Sequence, residues 1–154
     1  MAKMTAARLT ESARRGQIIR EARFWIGTPY QHQASLKNVG CDCLGLVRGV
    51  WRAIYGNEPE ATPAYSPDWA ESSKTEQLAH AARRHMHEID RHAFQPADLL
   101  IFRWRAHVPA KHLAIVVSPS TMVHAQQGAQ VCEVPITNWW HRRIAYAFQL
   151  RKPL

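Results

Sequence analysis

Two of the chain's three cysteines stand one residue apart in GCDCLGLVRGVW, the stretch from Gly40 to Trp51. A thiol can ligate a metal, close a disulfide or attack a carbonyl, and its neighbours decide which. Cys43 falls where an apolar helical pattern begins. Free backbone amides and the positive end of a helix dipole favour a thiolate there, and the same amides can donate to a carbonyl oxygen as it becomes an oxyanion. A nucleophile also needs a base, and the base needs an orienting partner. His112 opens the run HLAIVV, 69 residues after Cys43, and His124 follows 12 residues later in TMVHAQQ. As neighbouring strands joined at Ser118-Pro119-Ser120, these runs can set His124 against His112, fixing the tautomer with which His112 takes the thiol proton.

The other cysteine chemistries fit less well. Three cysteines cannot all pair within one chain, so at least one thiol is expected free and a disulfide scaffold is not expected. Cys41 and Cys43 as ligands of zinc or an iron–sulfur cluster would need Cys132 or a histidine to complete the set, and a Cys-x-Cys pair is a poor metal signature. No metal and no cofactor are expected. Cys41 reads as a small buried neighbour, and Cys132, in VCEVPI, as a core residue. Of the remaining histidines, His32 and His107 are the ones expected to line a cleft. Trp25 and Trp51 sit on apolar helix stripes, whereas Trp139-Trp140 reads as an exposed pair, open to a sugar ring or a neighbouring subunit.

The elements that must position these groups follow from periodicity. Thr10 can cap a helix over TESARRGQIIREARFWIG, with Ile18, Ala22 and Trp25 on one face and Gly27 as its stop. A loop from Thr28 to Gly40 leads to a second helix from about Asp42 to Tyr55, closed by Gly56. Pro59 to Trp69 reads as an irregular connection, and a polar third helix as spanning about Lys74 to His87. From Pro96 onward DLLIFRW, HLAIVVS, TMVHAQQ, QVCEVPI and IAYAFQL read as short strands. The expected fold is α+β, with helices packed on a central antiparallel sheet of about five strands.

At 154 residues the chain is expected to be a single domain, with residues 1–9 a flexible tail. Lys and Arg number 20 against 12 Asp and Glu, a net charge of +8. The basic residues occur as scattered pairs, Arg14-Arg15, Arg83-Arg84 and Arg142-Arg143, without a base-reading motif. They point to a solvated surface or an acidic assembly, not to sequence-specific nucleic acid binding. No apolar stretch is long enough for a signal peptide core or a membrane span, so synthesis in the cytoplasm is expected.

Five blocks in order carry a family resemblance: GTPY (Gly27 to Tyr30), Asp42-Cys43-Leu44-Gly45-Leu46-Val47, PADLLIF (Pro96 to Phe102), KHLAIVV (Lys111 to Val117) and MVHA (Met122 to Ala125). Together they resemble the NlpC/P60 cysteine peptidases over about residues 17 to 150. The longer string CDCLGLVRGVWRAIYG, with PAKHLAI downstream, resembles the branch found in phage tails and phage-like gene transfer agents. The resemblance implies a papain-like fold and hydrolysis of peptidoglycan stem peptides, typically between D-glutamate, through its γ-carboxyl, and a diamino acid. It makes Cys43 the nucleophile, His112 the general base and acid, and His124 the residue that orients it. Tyr30 matches a tyrosine that shapes the oxyanion and substrate site, and Asp42 an acidic residue that can touch the amino end of a stem peptide. Leu44 departs from the family's usual serine. The branch implies assembly with tail or baseplate proteins of a phage-like particle that acts at a cell envelope. The other reading of the same features is a structural tail component whose papain-like domain is weak or inactive.

Overall fold

The computed structural model describes residues 2–62 and 75–151. Helix α1 spans Ala2–Phe24 and buries Ile18 and Ala22, with Trp25 buried just past its end. It starts earlier than the capping pattern implies. Thr10 lies within it, and residues 2–9 continue it instead of forming a separate tail, because AKMTAARL holds good helix formers and neither Gly nor Pro. The loop that follows contains a small antiparallel hairpin, β1 (Ser35–Leu36) and β2 (Gly40–Cys41). Helix α2, Cys43–Tyr55, starts and stops as its sequence requires. Asp42 Oδ1 accepts the Gly45 amide at 2.7 Å as N-cap, and Gly56, at φ +88°, closes the helix through its N–H to the Arg52 carbonyl.

Of the connection expected from Pro59 to Trp69, residues 63–69 lie outside the described residues. Helix α3 covers Gln77–His85 and rests on Leu78, Ala79 and Ala82. It is shorter than its polar pattern suggested because the chain turns at once into an edge strand, β3 (His87–Ile89). The other strands are β4 (Asp98–Phe102), β5 (His112–Ser118), β6 (Thr121–His124), β7 (Cys132–Pro135) and β8 (Ile144–Gln149), with a short helix α4 (Asn138–His141) before the last. They form a six-stranded sheet in the order β3-β8-β4-β5-β6-β7, every pairing antiparallel. The sixth strand is β3: three residues give no alternation to read.

Strand parity divides the sheet into two different surfaces. Leu99, Ile101, Leu113, Ile115, Val117 and Val123 belong to the core shared with Ile18, Ala22, Leu46 and Val50 of the long helices. Leu100, Phe102, Ala114, Val116 and Met122 form a second core with Ile136, Ile144 and Trp140. His112 and His124 have the parity of the second surface.

One buried ion pair ties the first helix to the sheet. Asp98, whose side chain is 2% exposed, accepts Arg15 Nη1 at 3.1 Å and the Gln95 amide at 2.8 Å. Burial nevertheless pushes its carboxyl above the usual range, with the Gln95 amide and Arg15 pulling the other way. Asp98→Ala strands a buried amide and removes the nearer of the two carboxylates paired with Arg15, so it is expected to cost about 2–4 kcal/mol. Thermal unfolding compared with the parent chain checks this.

Candidate active site

Asp42 sets the start of α2 and therefore the place of Cys43. Its other oxygen, Oδ2, accepts the Gln33 amide at 2.8 Å, so both carboxylate oxygens hold backbone N–H groups in a site 3% exposed. Its contact with the site's own ring system is longer, 3.9 Å to His32 Nδ1. Tyr30 is brought alongside by a parallel bridge to Cys41, flanked by hydrogen bonds from the Gln31 amide to the Cys41 carbonyl and from the Cys41 amide to the Pro29 carbonyl, both 3.0 Å. Cys41 is wholly buried in the helix-side core, and Cys132 is half-buried on edge strand β7 instead of in the core. All three thiols are free. Among the described residues no group of three His, Cys, Asp or Glu side chains is arranged to hold a metal ion.

Tyr30, Asp42, Cys43 and His112 line one cavity of about 250 Å³, together with His32, Leu44, Trp104, Lys111, Ala125, Gln126 and Gln127. His124 stands behind it: His112 Nε2 and His124 Nδ1 are 2.8 Å apart across β5 and β6. His107, expected near a cleft, is exposed and does not line the cavity. Leu44 presents an aliphatic side chain where a hydroxyl would be expected from the family pattern.

The histidine pair determines what His112 can do. With Nε2 donating to His124 Nδ1, the lone pair at His112 Nδ1 is the one available for a proton. With the bond reversed, Nδ1 carries hydrogen and can donate a hydrogen bond but cannot take the thiol proton. Both rings are kept neutral. Burial lowers His112 to about 3, helped by the charges of His124 and Lys111, and burial lowers His124 as well.

The thiol behaves differently from the thiolate expected at a helix start. Burial, then the Asp42 carboxylate, pushes Cys43 up to about 12, and the backbone amides of Leu113, Leu44 and Cys43 only partly oppose this. Its hydrogen bond goes to the Lys111 carbonyl at 3.7 Å, not to His112. The ends of α2 and β5 are thus joined through a protonated sulfur. The dipole and amides act as the sequence implies, and desolvation beside a carboxylate outweighs them.

Two tryptophans, unassigned to the site from sequence, pack against the histidines. Trp104 stacks on His112 with centroids 5.0 Å apart and a 30° tilt, and Trp140 covers it at 5.7 Å and 25°. Trp140 also meets His124 edge-on at 5.3 Å. Trp140 is therefore a wall of the histidine pair, and only Trp139 of the expected exposed pair is at the surface, 43% exposed beneath the Arg143 guanidinium. Trp104 is held by its loop: Arg103 pairs with Glu76 and donates to the Val108 carbonyl at 2.6 Å, while Glu76 Oε2 accepts the Ala110 amide at 2.9 Å.

A cysteine at a helix start, facing the end of a strand that carries a paired histidine, within an α+β fold, defines a papain-like architecture. The chain belongs to the NlpC/P60 family, whose model matches residues 27–148. Among solved structures, the NlpC/p60 domain of the peptidoglycan hydrolase SagA aligns with 88% of this chain and 97% of its own, at 23% identity and a TM-score of 0.63. An NLP/P60 family protein similar to lipoprotein from Staphylococcus aureus aligns with 92% of this chain at 19% identity and a TM-score of 0.62. The P60 domain of an antigen from M. avium subspecies paratuberculosis covers 92% of this chain and 98% of its own, at 16% identity and a TM-score of 0.59. These likenesses show the fold. The chain spans 42% of the S. aureus protein's length. No curated protein matches.

Proposed function

We propose that this chain is a cell-wall cysteine endopeptidase that cleaves peptidoglycan stem peptides, most readily at the bond from the γ-carboxyl of D-glutamate to a diamino acid. Family membership and the resemblance to a peptidoglycan hydrolase domain support the substrate class. The observation that carries the mechanism is the shared cavity of Cys43 and His112, with His124 hydrogen-bonded behind. In this reading the thiol proton passes to His112 Nδ1 as the sulfur attacks the carbonyl. The helix-start amides steady the oxyanion, and His112 returns the proton to the departing amine. Water activated by the same ring then releases the acyl group from sulfur. Tyr30 shapes the wall beside the sulfur. Asp42 acts chiefly by fixing the helix start, with any contact to a peptide amino group secondary.

Digestion of defined muropeptides, read by mass, tests this. The parent chain should expose a new amine on the diamino acid, and Cys43→Ala should reduce product by about a thousandfold or more. Equal digestion by both chains would remove Cys43 from the chemistry.

The string CDCLGLVRGVWRAIYG with PAKHLAI supports a place in a phage-like tail or gene transfer agent, where the enzyme would open the wall during DNA delivery. Mass spectrometry of purified particles from the producing cells should find the chain at fixed stoichiometry to tail proteins, and its absence would refute this placement.

The protonated thiol bound to the Lys111 carbonyl favours a second reading, a structural tail component with a weak or inactive site. Thiol alkylation separates the two. An activatable site should label slowly at neutral pH alone and faster when a stem peptide is bound, whereas an inert one should stay slow in both conditions.

A further inference from the structure

Two loops leave the same end of the sheet, because Phe102 pairs with Ile144 and the Arg103 amide donates to the Arg143 carbonyl at 2.9 Å. Their sequences are RWRAH, residues 103–107, and WWHRR, residues 139–143, which hold four arginines, two histidines, three tryptophans and no carboxylate. Two of the arginines are spent on the fold. Arg103 is paired with Glu76, and Arg143 lies 3.7 Å from the Trp139 ring centroid while donating to the Trp139 carbonyl. Arg105 and Arg142 are exposed, and no carboxylate among the described residues pairs with either. His107 and His141 are exposed beside them. The indoles join the two loops, with Trp104 centred 6.1 Å from Trp139 and 5.9 Å from Trp140.

We infer that this arginine–tryptophan shelf is a docking surface for the carboxylate-bearing peptides of intact peptidoglycan beyond the bond being cut. The inference rests on the proposed substrate class. Two observations select this partner. The surface carries unpaired cations and aromatic rings, which suit a flexible chain bearing spaced anionic groups. It is also continuous with the reaction cavity, since Trp104 lines that cavity and Lys111 adds a further basic residue to its wall. A ligand occupying both places must offer an acyl carbonyl to Cys43 and anions to Arg105 and Arg142. Stem peptides have both, whereas the phosphodiester backbone of a nucleic acid lacks the amide.

The test measures retention on insoluble wall material in a Cys43→Ala chain, so that binding is read without cleavage. Arg105→Glu with Arg142→Glu should weaken retention roughly tenfold and flatten its fall with salt. Arg20→Glu, on the exposed side of α1, makes a single charge reversal elsewhere and should change retention far less than Arg105→Glu alone. Walls whose carboxylates have been amidated should hold the Cys43→Ala chain poorly. Equal retention by the double variant, or by amidated walls, overturns the inference. So does competition by single-stranded oligothymidylate at lower concentrations than soluble wall peptides, which would make the shelf a nucleic-acid surface. Arginine-dependent retention together with no cleavage by the parent chain would reject the endopeptidase reading and leave the docking surface standing.

Discussion

His112→Ala is expected to lower muropeptide cleavage by about a thousandfold or more, with most of the loss in kcat, because the ring acts in the reaction and not in ground-state binding. Its environment also sets an unusual pH dependence. A thiolate–imidazolium pair would give an acid limb in kcat/KM where the thiol loses its charge, and a basic limb where the imidazolium does. Here the resting pair is neutral: the sulfur is pushed up to about 12 and the ring lowered to about 3. Activity should therefore run level from about pH 5 to pH 9, with no limb from His112 near 6.5. A bell centred near neutrality would show that the ion pair is the resting state. Stability should shift with pH in a linked way. The folded ring has a lower pKa than the unfolded one, so the unfolded chain binds the extra proton between 6.5 and about 3. The fold is thus favoured above 6.5 and loses stability as pH falls through that window. Removing the ring should make this acid slope shallower, as read by melting temperature from pH 7 to pH 4. An unchanged slope would mean that His112 is solvated.

The indoles around His112 explain both its position and its neutrality. Trp104 and Trp140 pack against His112 and against each other, excluding water from that side of the ring, and its Nε2 is tied to His124. Sequence periodicity could place His112 and His124 on adjacent strands because the turn between them is short and local. It could not bring in Trp140, which comes from a helix two strands later, or Trp104, which depends on a loop fastened by Glu76. The same limit applied elsewhere. Asp42 was legible as part of a motif, and its capping geometry follows from its place before a helix, but the Gln33 amide on its second oxygen comes from a loop whose path is tertiary. The thiol's upward shift is hidden from the sequence for a related reason: the helix dipole is a local property, and desolvation is set by the whole fold. The edge strand His87–Ile89 had no pattern of its own and exists because β8 offers it a free side.

Gly45→Ala is expected to damage both the fold and the placement of Cys43. A Cβ at Gly45 would lie 1.8 Å from the Ala34 carbonyl oxygen and 3.1 Å from Asp42 Oδ1. The first contact is with backbone, so no rotamer change relieves it, and the segment that carries Ala34 must move. That segment supplies the Gln33 amide to Asp42, and its Ser35 hydroxyl donates to the Gly45 carbonyl at 2.6 Å while Ser35 accepts Arg52. Displacing it loosens the cap that places Cys43. The cost should be about 3 kcal/mol, near the upper end for overpacking, or roughly 6–12 °C in melting temperature. Gly49→Ala provides the comparison: one turn further along α2, its Cβ would meet the Trp25 indole at 2.0 Å. It should destabilise the fold by a similar amount while leaving Asp42 and its two amides in place. At a temperature where both variants are fully folded, Gly45→Ala should therefore lose far more kcat/KM than Gly49→Ala. Equal losses would mean that the start of α2 tolerates displacement and that the position of Cys43 is set from elsewhere.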